Sequence, residues 1–296
     1  MLSDKVCVVA GGGRGIGEAV AVELGRAGAT VVVNDLGSSV HGEGESERPA
    51  KATVEAVNEA GGDGRAHFGD ITSLDYTEQL VEDTVDEYGR IDGVVNFAGI
   101  LRDGISYKMS GESWDQVINV HLRGHFSLLR NVGARWREQV GECELDSQRS
   151  FIGVTSRSAL GSIGQINYST AKAGILGLCR TAARELNRFN VRVNALMPTA
   201  YTRMIEDIPE EKRPFTEEEM PPERVGAVVA YLMSDAAEDI TGSTIRAAGD
   251  TVGVVTDPAI TQRGIKDDGW SAEDLADRFK DDIAQGVELD KSDAAF

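Results

Sequence analysis

Tyr168 and Lys172 are the two residues whose types and spacing most directly suggest chemistry. They are four residues apart near the start of a predicted helix over 167–189, so they share one face of it. A free phenol has a pKa of about 10 and is a poor base at neutral pH, but a nearby ammonium group favours the phenolate and lowers that pKa. The pair could therefore move a proton to or from an alcohol oxygen. Because a Tyr-x-x-x-Lys pair alone is usually an ordinary surface pair, the surrounding elements must decide.

A glycine-rich loop, GGGRGIG at residues 11–17, joins a predicted first strand over 6–10 to a helix over 17–27. Glycine permits a tight turn, close approach of the backbone to a pyrophosphate, and close packing of the helix on the strand. The helix N-terminus then offers free N–H groups and a positive dipole to the anion. The pattern predicts a bound dinucleotide, with candidate contacts from Gly11, Arg14, Gly15, Ile16 and Gly17.

Two aspartates that follow predicted strands indicate which dinucleotide is bound. Asp35 ends the second strand, where a carboxylate accepts hydrogen bonds from the adenosine ribose diol and repels a 2′-phosphate. Asp35 favours NAD, whereas the basic Arg14 could meet the 2′-phosphate of NADP; Asp35 has more weight because it lies closer to the ribose in such folds. Asp70, after the third strand, could hold the adenine edge together with the N–H of Ile71, or it could be a helix-capping or loop aspartate.

Short apolar runs alternate with helix-like segments along most of the chain. Strands are predicted over 6–10, 30–34, 66–69, 93–96, 151–155, 191–195 and 243–247, and helices over 17–27, 51–60, 73–88, 112–136, 167–189 and 223–234. This alternation predicts one α/β domain over 1–254, a Rossmann-type doubly wound parallel sheet of about seven strands with helices on both faces. Residues 255–296 are polar and acidic, and are predicted to be a C-terminal extension with one helix rather than a second domain.

Four motifs occur in the order and spacing of a known family: the glycine loop, Asn96-Phe-Ala-Gly99, the strand end Thr155-Ser156, and Tyr168-Ser-Thr-Ala-Lys172. On these motifs, residues 4–250 resemble the short-chain dehydrogenase/reductase family. Some stretches look closer still to the (3R)-hydroxyacyl-CoA dehydrogenase part of peroxisomal multifunctional enzyme type 2 and its bacterial and archaeal relatives. They are VVVNDLG (31–37), NFAGILRDG (96–104), VHLRGHF (120–126), GQINYSTAKAGILGL (164–178) and TRMIE (202–206).

The resemblance implies an NAD-linked oxidoreductase that interconverts a secondary alcohol and a ketone in a small-molecule substrate, foremost a 3-hydroxyacyl or 3-oxoacyl thioester. A 3-oxoacyl-carrier-protein reductase and a steroid-type or general alcohol dehydrogenase are the alternatives within the enzyme class. A non-catalytic NAD-binding regulator is the alternative outside it. Loss of the Tyr–Lys pair would have favoured the regulator, and both residues are present.

The resemblance also implies roles for individual residues. Tyr168 would be the acid/base, Lys172 would bind the nicotinamide ribose and tune Tyr168, and Asn119 would hold the water that links Lys172 to solvent. The other implied cofactor contacts are Asn96, Ala98, Gly99, Pro198 and Thr202. Like its relatives, the chain would form a homodimer or homotetramer through its two long helices, here 112–136 and 167–189.

The sequence departs from the family pattern at three places. Ala10 replaces a threonine before the glycine loop and so removes a buried hydroxyl, and Phe97 replaces a second asparagine, which is expected to loosen the support of neighbouring strands. The substrate-binding serine of the family lies thirteen residues before the tyrosine, and here that position is Thr155. The stretch up to Gly161 looks one residue shorter than in relatives, however. With that deletion Ser156 takes the role, and we favour Ser156 over Thr155.

The composition is strongly acidic, with 49 acidic and 30 basic residues and a formal net charge of −19. Such a surface repels nucleic acid and anionic membranes. Two explanations stay open: an ordinary acidic cytosolic protein, or a halophilic protein adapted to high intracellular salt. We favour the second, because about 1 M salt shortens the Debye length to about 3 Å and screens the self-repulsion.

Other signals bear on compartment and metals. The sequence has no apolar run of the ~18 residues that a membrane span needs, and its N-terminus resembles a first strand more than a signal peptide, so we expect a cytoplasmic protein. The cysteines Cys7, Cys143 and Cys179 are odd in number and far apart, which fits a reducing compartment. His121 and His125 have helical spacing but lack the intervening glutamate and third ligand of a zinc site, so we expect no metal and a structural or interface role.

Overall fold

The computed structural model describes residues 1–140, 148–202, 205, 213–256 and 258–286. Its frame is one eight-stranded sheet, parallel except for the last strand. The strands are β1 (Val6–Ala10), β2 (Thr30–Asn34), β3 (Asp63–His67), β4 (Gly93–Asn96), β5 (Arg149–Val154), β6 (Val191–Thr199), β7 (Thr244–Ala248) and β8 (Thr251–Val255). Their order is β3-β2-β1-β4-β5-β6-β7-β8, so the direction of winding reverses between β1 and β4.

Seven of the α-helices in the described residues cover both faces of the sheet: α1 (Gly15–Arg26), α2 (Arg48–Glu59), α3 (Leu74–Tyr88), α4 (Gly111–Ile118), α5 (Gly124–Gln139), α6 (Ile166–Leu186) and α7 (Glu223–Met233). Another helix, α8 (Ala272–Arg278), lies in the C-terminal segment after Val255. Successive strand residues point to opposite faces, so Val9 of β1 joins the core under α1, α2 and α7, while Val8 joins the core under α3, α5 and α6. The predicted doubly wound sheet is therefore confirmed.

The sheet has one strand more than expected. The added strand, β8, pairs antiparallel with β7 across the turn Gly249-Asp250, where Gly249 has a φ of 52°. Its Val252 and Val254 are 63% and 74% exposed. β3, at the opposite edge of the sheet, is polar and begins three residues earlier than predicted, at Asp63. Both edge strands differ from the prediction because strands were predicted from buried apolar runs, and neither edge strand is such a run.

The long helix predicted over 112–136 is interrupted. Helices α4 and α5 are joined by a π-helical turn, Asn119–Arg123, which inserts extra residues into the helical repeat. Such turns are rare and often occur at functional sites. Here the turn carries His121, whose ring lies against Gly99 and Tyr168.

The part of the chain from Thr256 onward is a second compact unit. Its described part contains α8, which begins with a capping box: the Ser271 hydroxyl accepts from the Asp274 N–H, and the Asp274 carboxylate accepts from the Ser271 N–H. This helix falls within the segment where sequence periodicity predicts one.

The cysteines that the structure describes are inert core residues. Cys7 and Cys179 are buried free thiols, and burial raises the pKa of each to about 12. Cys143 lies outside the described residues. Among the described helices, none combines the length and apolar character needed to cross a membrane.

Candidate active site

The ends of four neighbouring parallel strands gather the candidate residues at one edge of the sheet. The chain leaves β1 into the glycine loop, β4 into Phe97, β5 into Thr155 and Ser156, and β6 just beyond Pro198. In doubly wound sheets ligands bind outside the carboxyl ends of the strands, where the winding reverses. The fold thus brings the glycine loop and the Tyr168 helix to the same crevice.

The glycine loop forms a tight cradle, in which Gly11 and Gly17 leave no room for a Cβ. Gly11 and Gly15 have φ angles of 65° and 58°, and a Cβ on Gly11 would lie 2.2 Å from the Ala98 nitrogen. A Cβ on Gly17 would lie 2.1 Å from the Gly11 oxygen. Ile16 packs against the core and fixes the first turn of α1. This cradle at a helix N-terminus fits the pyrophosphate of a dinucleotide.

The tight fit at Gly17 predicts a large effect of a single methyl group. Gly17→Ala should lower the free energy of unfolding by about 1–3 kcal/mol and weaken NADH binding at least about tenfold, because the obstructing atom is backbone. Gly111→Ala is the matched control, since a Cβ there meets open space and should change stability by less than about 1 kcal/mol. Urea unfolding and NADH fluorescence titration measure both. Normal NADH affinity in Gly17→Ala would contradict the cradle.

Asp35 and Arg14 both lie beside the glycine loop. The Asp35 carboxylate accepts hydrogen bonds from the Gly13 N–H at 2.8 Å and the Gly37 N–H at 2.6 Å. The Arg14 guanidinium donates to the Ser38 carbonyl at 2.9 Å. The carboxylate therefore stabilises the loop itself, and its contact to an adenosine ribose stays a prediction.

Asp70 shows the local contacts of a loop aspartate. Its carboxylate accepts from the backbone N–H and the hydroxyl of Thr72, both at 2.8 Å. Asp70 is exposed, while the side chain of Ile71 is buried against Gly124. These contacts shape the loop after β3, and a role toward adenine stays a prediction.

The Asn96–Gly99 segment at the end of β4 contacts the glycine loop and His121. Asn96 is fully buried, and its side-chain Oδ1 accepts from the Ala98 N–H at 2.9 Å. Phe97 does not loosen the contact between neighbouring strands, as the loss of an asparagine was expected to do. Its N–H donates to the Ala10 carbonyl at 2.7 Å, and its ring packs on the core. Gly99 leaves space for an imidazole ring, because a Cβ there would lie 2.3 Å from His121 Cε1.

Tyr168 and Lys172 meet on the first turns of α6. The Lys172 ammonium lies 5.4 Å from the centre of the Tyr168 ring and donates to the Val154 carbonyl at 2.8 Å. The start of α6 is fixed by Asn167, whose side-chain oxygen accepts from the Tyr168 N–H and whose amide donates to the Arg102 carbonyl. The reactive pair is therefore held rigidly between the helix and the end of β5.

Burial sets the electrostatics of the pair. It lowers the pKa of Lys172 to about 7, because the ammonium is removed from water. It also raises the pKa of Tyr168, with a further increase from the negative charge of Asp103, while a hydrogen bond from Ser156 acts in the opposite direction. Burial therefore moves the two pKa values apart, so near neutral pH Tyr168 is protonated and Lys172 is the group of the pair that gains or loses a proton.

The two hydroxyls at the end of β5 point to different places. The Ser156 hydroxyl hydrogen-bonds to Tyr168 and accepts from the Ser158 N–H at 3.2 Å. The Thr155 hydroxyl is buried and donates to the Lys172 carbonyl at 2.7 Å. Ser156 thus lies at the reactive phenol, while Thr155 supports the backbone of α6.

A family model described as "Enoyl-(Acyl carrier protein) reductase" matches residues 10–249, which is most of the chain and includes the whole constellation. The chain belongs to the short-chain dehydrogenase/reductase family.

It is 38% identical over 290 residues to hydroxyacyl-CoA dehydrogenase ChsB1 of Mycobacterium tuberculosis, covering 96% of this chain and 90% of that one. It is 37% identical over 245 residues to peroxisomal multifunctional enzyme type 2 of Drosophila melanogaster, covering 82% of this chain but 39% of the longer enzyme. A crystal structure of a short chain dehydrogenase from Mycobacterium avium superposes with a TM-score of 0.81, at 34% identity and 93% coverage of each chain.

The short-chain dehydrogenase/reductase pattern also implied contacts near the end of β6. Pro198 is the second-last residue of that strand and pairs with Ala247 of β7. Thr202 lies over the glycine loop, with its methyl group 3.5 Å from the place of a Cβ on Gly15. Thr202 therefore lies beside the glycine loop, while contacts of Pro198 and Thr202 to a nicotinamide stay predictions.

Asn119 has the water-holding role only by resemblance, and that role stays a prediction. It is exposed at the junction of α4 and the π-helical turn, and no hydrogen bond of its side chain is found within the described part of the chain. His121, two residues further along the turn, has its ring edge-to-face against the Tyr168 ring at 5.0 Å between centres. Sequence reasoning missed His121 because helical spacing predicts its direction only in an uninterrupted helix.

His125 has a structural role one turn later. Its Nδ1 lies 2.6 Å from the His121 carbonyl, and its Nε2 accepts from the Val154 N–H at 3.0 Å. Burial and the charge of Lys172 lower its pKa to about 3, so it is neutral. In the described residues no group of three or more His, Cys, Asp or Glu side chains could hold a metal ion.

Proposed function

We propose that this protein is an NAD(H)-dependent oxidoreductase that interconverts 3-hydroxyacyl and 3-oxoacyl thioesters. The observation that carries the proposal is the meeting of Ser156, Tyr168 and Lys172 beside a glycine cradle. The substrate class is supported by the similarity to a hydroxyacyl-CoA dehydrogenase over nearly the whole length of both chains.

Each residue has a definite part in the oxidation of the alcohol. Ser156 holds the substrate oxygen beside the Tyr168 hydroxyl, and Tyr168 as phenolate takes the proton from that oxygen. Lys172 stabilises the phenolate by its charge. Nicotinamide, when bound, supplies the hydride acceptor. In the reverse direction Tyr168 donates the proton to the carbonyl oxygen.

The preference for NAD is proposed on the basis of Asp35. Its carboxylate lies at the glycine loop through its bonds to Gly13 and Gly37. A 2′-phosphate would place a second negative charge against this carboxylate. The Arg14 guanidinium is already hydrogen-bonded to the Ser38 carbonyl, which supports NAD rather than NADP as the cofactor.

Two loops beside Tyr168 suit an acyl chain. The loop after β4 and the loop before α6 are joined by a hydrogen bond from the Gly104 N–H to the Gly164 carbonyl at 2.7 Å. Around this junction several large apolar side chains are exposed: Ile105, Tyr107, Leu160, Ile163 and Ile166. A linear acyl group or another apolar skeleton would cover them, which supports a thioester or, as the alternative, a steroid-type alcohol.

A substrate panel separates these candidates. Initial rates are measured with NADH and with NADPH, in molar KCl, on 3-oxoacyl-CoA of several chain lengths, a 3-oxoacyl-carrier protein and a 3-oxosteroid. We expect the highest kcat/KM with NADH and a 3-oxoacyl-CoA. A clear preference for the carrier protein or the steroid would instead assign the corresponding alternative. Cofactor binding without turnover of any substrate would favour a regulator.

The pH dependence should have opposite signs in the two directions. Oxidation needs a Tyr168–Lys172 pair that has lost one proton, and reduction needs a fully protonated pair. Because burial lowers the Lys172 pKa to about 7, kcat/KM for oxidation should rise up to about tenfold per pH unit below about pH 7 and level off above it. Reduction should fall as pH rises through the same range. Rates measured in both directions at constant ionic strength test this, and responses of the same sign would contradict it.

We further propose a halophilic, cytoplasmic protein that forms a homodimer or homotetramer, with residues 255–296 as an extension of the dehydrogenase domain. The net charge of −19 supports the first part. At low salt, uncompensated repulsion between surface carboxylates destabilises the compact state.

The charge predicts that the melting temperature rises as KCl increases from millimolar to molar concentration. Scanning calorimetry measures the shift, with an equal osmolality of sucrose as the control for non-specific stabilisation. Equal melting temperatures at low and high KCl would rule out salt adaptation.

A further inference from the structure

His121 is buried against the reactive pair although the mechanism above does not use it. It is 2% exposed and lies within the π-helical turn Asn119–Arg123. Its ring stands perpendicular to the Tyr168 ring, at an interplanar angle of 90° and 5.0 Å between centres. On the other side of the ring lies Gly99, and the ring can come this close because glycine has no Cβ. The ring therefore limits how Tyr168 can tilt.

The two ring nitrogens of His121 have unequal surroundings. Nε2 lies 2.9 Å from the Ile100 carbonyl oxygen and 3.2 Å from the Ile100 nitrogen. Nδ1 is buried, and the part of the chain that the structure describes offers it no hydrogen-bond partner. A buried polar atom without a partner is costly, so such an atom in a native site needs an explanation.

The protonation state of His121 decides what Nδ1 can do. Burial, then the positive charge of Lys172, and to a smaller degree His125 on the same helical run, hold its pKa well below the ordinary value; the hydrogen bond to Ile100 acts in the opposite direction. A neutral imidazole has one N–H and one lone pair. The Ile100 carbonyl, 2.9 Å from Nε2, needs a proton on that nitrogen, whereas the Ile100 N–H, which points to it from 3.2 Å, needs a lone pair there. The shorter contact favours the proton on Nε2, which leaves a lone pair on Nδ1.

We propose that His121 is a positioning residue for the Tyr168–Lys172 pair: it holds the phenol ring edge-on, and its Nδ1 accepts a hydrogen bond from a water molecule that also solvates the Lys172 ammonium. Lys172 uses one N–H on the Val154 carbonyl and has two left. The water would connect Lys172 to the proton supply, the role that resemblance gives to Asn119. The inference rests on the proposed function, because it concerns the same proton transfer.

Two substitutions separate the two nitrogens. Asparagine carries its amide near the place of Nδ1, and glutamine carries its amide near the place of Nε2. If Nδ1 holds the water, His121→Asn keeps kcat within about tenfold of wild type, while His121→Gln lowers kcat about ten- to a hundredfold with little change in KM. NADH fluorescence titration and melting temperature show whether both variants fold and bind cofactor.

The reverse ranking, with Gln active and Asn inactive, would mean that only the contact to Ile100 matters and would overturn the proposal. Wild-type kcat in both variants would overturn it as well. Because both substitutions change the same buried ring, a merely structural role predicts similar losses of stability and kcat in the two, not a separation by nitrogen.

A measurement without cofactor or substrate tests the same claim. In 15N spectra of the protein as it stands, His121 should show an unprotonated Nδ1 and a protonated Nε2 from about pH 6 to about pH 9. A protonated Nδ1 would overturn the proposal even if both variants failed to fold. If the wild-type protein turned over no substrate, the proposed function would fail, while this tautomer would still be decided by the spectra.

Discussion

Replacing Tyr168 with phenylalanine should lower kcat for reduction of a 3-oxoacyl-CoA by about 10²–10⁴-fold, the range attributed to one general acid–base group. The substitution removes only the hydroxyl. The ring keeps its edge-to-face contact with His121 and its place near the Lys172 ammonium. NADH affinity should therefore stay within about threefold of wild type.

Tyr231→Phe is the matched control, because Tyr231 is a partly exposed residue on α7, among the helices on the other face of the sheet from α6. It should leave kcat, KM and NADH binding unchanged. Initial-rate kinetics and NADH fluorescence titration are measured on both variants. Turnover retained in Tyr168→Phe would refute the proton-transfer role, and loss of NADH binding in that variant would indicate a structural defect.

Ser156→Ala should lower kcat about 10²–10³-fold, as removal of a hydrogen bond to a developing oxyanion does in other enzymes. Its hydroxyl is the one that reaches Tyr168. Thr155→Val, the matched variant of the neighbouring hydroxyl, loses a buried bond to the Lys172 carbonyl. It should cost about 1 kcal/mol of stability and change kcat by less than about tenfold.

The two variants are compared by kcat at saturating substrate and by urea unfolding. A larger loss of kcat in Thr155→Val than in Ser156→Ala would transfer the substrate-binding role to Thr155. Equal and large losses of stability in both would show that the two hydroxyls act together in holding β5 against α6.

The sequence was sufficient for the parts of the structure that depend on local pattern. The buried runs of β1, β2 and β4 are apolar, and the glycine loop has the spacing that a strand–turn–helix requires, so the doubly wound sheet and the cradle could be predicted. The same holds for Tyr168 and Lys172, because an uninterrupted helix places residues four apart on one face. These features need no knowledge of distant contacts.

The remaining features depend on interactions between distant segments. The π-helical turn changes the direction of His121, and only packing of α5 against the sheet reveals it. Edge strand β8 forms because β7 offers an unpaired edge, not because its own residues are buried. For Asp70, the sequence permits both a loop role and an adenine contact, and the bonds to Thr72 show the first while the second stays a prediction.

The most direct test of the central claim is a stoichiometric assay in molar KCl with NADH and a 3-oxoacyl-CoA. Absorbance follows NADH, and mass spectrometry of the thioester follows the product. We expect one NADH oxidised for each 3-hydroxyacyl-CoA formed by the wild-type protein, and product formation slowed by about 10²–10⁴-fold with Tyr168→Phe. The account would be contradicted if the wild-type protein oxidised no NADH with 3-oxoacyl-CoA of any chain length.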